Sequence, residues 1–142
     1  MYEIIQKAHS GWAYIVLFAL ILTVGNSLIA FASKREFLTH DKRISLVALI
    51  ATHIQLVFGL VLYFVSPLGM KSLGQMADKS LRLTSLEHPL INIIAIVLIT
   101  IGWSKHKKAE VSAAKFKSIA VFYGIGLLLI LSRIPWSLWF NQ

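Results

Sequence analysis

Apolar residues fall into four long runs separated by short polar stretches. The cleanest run is residues 44–65, ISLVALIATHIQLVFGLVLYFV, 22 residues with no ionisable side chain except His53 and Tyr63. At ~1.5 Å rise per residue, a helix of that length matches the ~30 Å hydrocarbon core of a bilayer. Three further runs share its character, and the pattern predicts helices over about 11–33, 44–65, 85–104 and 118–134. His9 and Ser10 then stand at the entry of the first helix. Ser85 is expected to cap the third, which puts Pro89 in its first turn, where no intrahelical N–H bond is lost. Pro135 ends or kinks the fourth. Residues 67–84, with Gly69, Met70, Gly74 and Met76, form the longest link and are expected to lie on the membrane surface. Tyr2, Trp12 and Tyr14 at one end of the first helix suit the headgroup interface, as do Trp136, Trp139 and Phe140 in the tail. The expected fold is all-α: a single-domain, integral-membrane four-helix bundle, up-down-up-down, with both termini on the outer side.

Composition sharpens this picture. Of 142 residues 57% are hydrophobic and 14% charged, against about 25% charged in a soluble domain. The chain has no cysteine, which excludes disulfides, thiolate metal sites and covalent c-type haem attachment. Ala30-Phe31-Ala32 fits a small-x-small cleavage pattern. The apolar run before it is too long for a signal peptide and the charge ahead of it too weak, so a retained helix is expected. The net charge of +8 does not indicate nucleic acid, because the basic residues lie in loops between apolar spans. Nine Lys and Arg fall in the first and third loops, and five at the opposite end: Lys7, Lys71, Lys79, Arg82 and Arg133. The positive-inside rule places the two basic loops in the cytoplasm, where they face anionic headgroups.

The candidate chemistry is in the histidines. His40 and His106 sit in the basic loops and read as solvated. His9 and His88 enter the first and third helices from the same side, and His53 lies near mid-membrane on the second. An intramembrane imidazole is costly without a partner and is a functional candidate by default. Helical spacing puts His88 in a row with Asn92, Ala95, Ile99 and Gly102, whose small residues leave room beside the ring. His53 shares a face with bulky Leu49, Ile50, Leu56, Val57 and Leu60. A second stripe, Ser45, Ala48, Thr52, Gln55 and Gly59, lies a third of a turn away and reads as a helix-packing face. Imidazoles projecting into an apolar bundle suit haem iron, so His9, His53 and His88 are the candidate metal ligands. Three histidines provide one ligand pair, hence one haem per chain. The pairs His9–His88, His53–His88 and His9–His53 all remain open by counting. Asn92 is the polar group beside His88. Arg133 is a partner for a haem propionate or a lipid phosphate. Glu87 suits the negative position at a helix N-terminus, or orients an imidazole. No residue pattern identifies a catalytic group.

His9-Ser10-Gly11, Thr52-His53-Ile54-Gln55-Leu56 with Gly59-Leu60, Glu87-His88-Pro89-Leu90 and Ile134-Pro135-Trp136 together resemble a family of small bacterial four-helix membrane proteins labelled cytochrome b. The resemblance spans nearly the whole chain. It implies a haem-b protein of the bacterial cytoplasmic (inner) membrane, with His9, His53 and His88 as candidate ligands. The implied partners are the lipid bilayer and a redox partner or larger membrane complex. In layout the chain is also similar to the four-helix membrane type of protoporphyrinogen oxidase, with His9 the one position carried over. That family's third-helix lysine has no counterpart between His88 and Gly102. The rival functions are therefore an enzyme using a porphyrinogen or a quinone, and a haemless structural or metal-binding subunit.

Overall fold

The computed structural model describes residues 1–142 and is all-helical. Its four long helices are α1 (Tyr2–Ala32), α2 (Thr39–Val65), α3 (Lys79–Lys108) and α4 (Ser112–Ser132). A short helix, α5 (Trp136–Phe140), closes the chain, and a single 3-10 turn (Met70–Ser72) breaks the long link. All four long helices are long and apolar enough to cross a membrane, which makes this a multi-pass membrane bundle. Each helix packs on two neighbours: α1 on α2 and α4, α3 on α4 and α2, with the α2–α3 seam the loosest.

All four helices start earlier than the hydropathy pattern predicts, α2 at Thr39 and α4 at Ser112, and the early starts of α1 and α3 bear on the site. Residues 2–10 carry no proline or glycine, and Glu3 favours a first helical turn, so α1 begins at Tyr2 and not near Gly11. Trp12 is therefore inside the bundle and not at its interface end. Its indole N–H donates to the Ala51 carbonyl at 2.9 Å, and its ring meets Phe58 edge-on. Similarly, α3 begins at Lys79 and not at Ser85, because the Asp78 side chain accepts from the Ser80 and Leu81 N–H groups. Pro89 thereby falls within a helix. Its ring has no N–H for the Ser85 carbonyl four residues back. The helix widens into a π turn over Leu83–Glu87, and the Tyr63 hydroxyl donates to the freed Ser85 carbonyl at 3.0 Å.

The core is built from small and apolar residues: Leu20, Ala48, Ala95, Ile99, Ile119 and Tyr123 are all fully buried. The Tyr123 hydroxyl crosses it to donate to the Ser45 carbonyl at 2.9 Å. The row Ala95–Ile99–Gly102 does not leave room for a ligand beside His88. It is the contact with α4. A Cβ on Gly126 would lie 2.7 Å from Ile99 and 3.1 Å from the Ala95 carbonyl, and one on Gly102 would lie 2.6 Å from Phe122. Small residues here let two helices approach closely.

At the basic-loop end, Asp41 is 1% exposed and locks α1 to α2. Arg35 grips both its oxygens, at 2.7 and 2.9 Å, while Asn26 and the Leu38 N–H each donate at 2.8 Å. The carboxylate holds the Arg35 guanidinium above its ordinary pKa. His106, expected to be solvated, is 1% exposed. Its Nδ1 donates to the Trp103 carbonyl at 2.6 Å, and its ring packs between Trp103 and Phe37. Helix α3 outlasts its apolar run and carries His106 under the first loop.

Candidate functional site: two histidines on a cavity between helices

The main cavity, of about 430 Å³, opens at the end of the bundle opposite the basic loops. It is walled by α1, α2 and α3, with Ile130 of α4 and the tail at its edge. That volume is within the ~300–1,000 Å³ range of small-molecule sites. Its walls are mostly apolar. The polar groups among them include His9, Gln55, Ser85, His88 and Asn92.

The early starts of α1 and α3 place His9 and His88 two turns or more inside their helices. Both rings line the cavity, with centroids 6.1 Å apart and planes at 86°. His88 is fixed from behind. Its Nδ1 lies 2.8 Å from the Arg133 carbonyl, which is free because α4 ends at Ser132 ahead of Pro135. A carbonyl can only accept, so Nδ1 carries the proton and Nε2 keeps its lone pair. Asn92 supports the same segment by donating to the His88 carbonyl at 2.6 Å.

His9 is held differently. The Gln55 amide donates to the His9 carbonyl at 2.9 Å, joining α2 to α1. A Cβ on Gly59 would stand 3.2 Å from the His9 ring, so glycine makes the space in which that ring lies. His9 Nδ1 and Gln55 Oε1 are the two buried side-chain polar atoms without a hydrogen-bond partner. Most such atoms are satisfied in folded proteins, and an exception calls for an explanation such as a bound water, an ion or a redox role.

The stripe of α2 that reaches the cavity is the one carrying Thr52, Gln55 and Gly59. His53 is not brought to it. Its side chain is exposed, on a face shared with exposed Ile50 and Val57, and its Nδ1 bonds back to the Leu49 carbonyl at 2.8 Å. The expectation that His53 points into the bundle is corrected, because small and polar residues on α2 occupy the interior and bulky ones face outward. The Arg133 side chain also stays outside the cavity, near Glu87, which pairs with Arg82 at 3.1 Å. It is the Arg133 backbone that reaches the site. Gln55, Gly59 and Tyr63 are the cavity residues that histidine-centred reading passes over. The small-polar stripe on α2 was the signal for Gln55 and Gly59, and no pattern in the sequence singles out Tyr63.

No third His, Asp, Glu or Cys joins His9 and His88 in a metal-holding group. Structural zinc needs about four protein ligands and catalytic zinc about three. A two-imidazole site suits a metal whose remaining ligands come from a macrocycle. The two ring centroids are 6.1 Å apart, a gap wide enough for a metal at ordinary metal–imidazole bond lengths of about 2 Å. Gly59 seats the His9 ring at the cavity, where His9 Nδ1 has no protein partner. No protein-family model, no curated protein and no solved structure matches this chain, so its reading rests on these residues.

Proposed function

We propose that this protein is a membrane haem-b protein and an electron-transfer component, with one haem held between His9 of α1 and His88 of α3. The observation supporting it is the spacing of those two rings, together with a carbonyl behind His88 that leaves Nε2 unprotonated. Second-sphere carbonyls of this kind fix the tautomer and orientation of metal-ligating histidines. Bound there, haem supplies one-electron chemistry. The chain's own residues do the rest. Arg133 and Asn92 hold His88 in place, and Gln55 ties the His9 turn to α2. Gly59 admits the His9 ring, and the apolar walls limit access of water. In this proposal the protein sits in a bacterial cytoplasmic membrane with its termini and cavity end outward, the orientation that the loop charges favour. Its redox partner there is another membrane subunit or a quinone.

The test is the absorption spectrum of protein purified from haem-replete cells. Wild type and His53→Ala are expected to carry about one haem per chain, with a low-spin bis-imidazole spectrum. His9→Ala and His88→Ala are expected to lose it or become high-spin. A haem-free wild type after reconstitution, or wild-type spectra in both latter variants, rejects the proposal.

A further inference from the structure

We infer that the basic-loop end of the bundle carries a binding site for the phosphate of an anionic phospholipid headgroup, independent of the histidine cavity. A cleft of about 320 Å³ lies between the first and third loops. Lys42 reaches it from the first turn of α2, Lys107 from the last turn of α3 and Lys115 from the first turn of α4. Three helix ends, two of them remote in sequence from the first, thus bring three lysines to the lining of one cleft. No acidic residue is among its lining. The carboxylate beside Lys42 is Asp41, which is buried and engaged by Arg35, Asn26 and the Leu38 N–H. None of the three lysines is within ion-pair distance of a carboxylate.

The cleft is built rather than incidental. The Phe37 N–H donates to the Ser112 hydroxyl at 2.9 Å, joining the first loop to the start of α4. Lys115 Nζ donates to the His106 carbonyl at 2.9 Å and lies 5.7 Å from the centre of the Phe37 ring. His106, itself buried, lines the cleft with Nδ1 committed to Trp103, so Nε2 is the ring's remaining polar atom. Thr39 adds a hydroxyl to the rim. Like charges lining one cleft repel one another, and an anion bound among them relieves that repulsion. At the membrane surface the anions at highest local concentration are lipid phosphates, each lysine there strengthening the attraction.

The experiment is native mass spectrometry of the full chain in detergent, titrated separately with phosphatidylglycerol, phosphatidylcholine and inorganic phosphate. The cleft variant is Lys42→Gln, Lys107→Gln and Lys115→Gln combined. A control variant, Lys7→Gln, Lys71→Gln and Lys79→Gln, removes the same charge from the other end. Wild type and control are expected to retain one phosphatidylglycerol in preference to phosphatidylcholine. The cleft variant is expected to bind it about a hundredfold more weakly. Lys42→Gln alone, exposed and far from the core, is expected to weaken it about fivefold. Phosphate binding as tightly as the lipid, and lost in the cleft variant, supports the site with free phosphate as its ligand. Wild-type lipid retention in both the cleft variant and Lys42→Gln overturns the inference. So does equal binding of the two lipids, or no binding of lipid or phosphate.

Discussion

At the scale of single residues, the cavity depends on groups whose partners lie on another helix. Tyr63, Ser85 and Pro89 show this best. Pro89 has no N–H to donate to the Ser85 carbonyl in the α3 ladder, Ser85 is buried, and the Tyr63 hydroxyl donates to that carbonyl instead. Tyr63→Phe strands a buried acceptor, and an unfolding free energy lower by about 1–3 kcal/mol is expected. Pro89→Ala restores a backbone N–H opposite the same carbonyl. In the Pro89→Ala background, Tyr63→Phe is therefore expected to cost less than half as much, a coupling that a double-mutant cycle measures. Additive losses would mean that the hydroxyl and the proline are not two halves of one arrangement. The same scale explains why His53 misled. An intramembrane histidine invites a ligand role, yet this one satisfies its Nδ1 on its own helix and faces outward with Ile50 and Val57.

At the scale of elements, the four spans were legible because each is a long apolar run, and the small-polar stripe of α2 was legible as a buried face. Ser45, Ala48 and Thr52 are all buried. The depth of the histidines was not legible. Hydropathy marks where a helix is apolar, whereas α1 and α3 begin on polar turns set by Glu3 and by the Asp78 cap. The role of the Ala95–Gly102 row was also hidden, since small residues serve equally to admit a ligand or another helix. The glycines separate the two uses. Gly126→Ala sets a methyl against Ile99 and the Ala95 carbonyl, and backbone cannot yield cheaply. A net loss of about 1–3 kcal/mol is expected, although alanine is the better helix former by about 1 kcal/mol. Gly25, with nothing within 4 Å, is the control. Gly25→Ala is expected to raise stability by up to about 1 kcal/mol. Both are read from reversible unfolding in detergent, and a stabilised Gly126→Ala would show that the α3–α4 contact is looser than described.

At the scale of the whole molecule, the bundle is polarised. One end carries the histidine cavity, both termini and the aromatic tail. The other carries the buried Arg35–Asp41 lock, the lysine cleft and nine of the fourteen Lys and Arg. Side-chain packing does not set which end faces the cytoplasm. Insertion does, and it responds to Lys and Arg near the span ends. The nine-to-five distribution predicts the lysine cleft inside and the cavity outside, with the cleft against the anionic cytoplasmic leaflet. A reporter fused after Lys108 is expected to read cytoplasmic, and one fused after Gln142 to read external. Opposite readings at both positions would invert the orientation and move the cavity to the cytoplasmic side. Because the distribution is only moderately uneven, it is expected to be tunable. Replacing Lys105, Lys108 and Lys117 by Gln leaves six basic residues against five while sparing the cleft lysines. That variant is expected to insert in both orientations, each reporter giving a mixed signal. A variant that keeps one orientation would show that the hydrophobic spans themselves, and not the loop charges, decide which way this bundle faces.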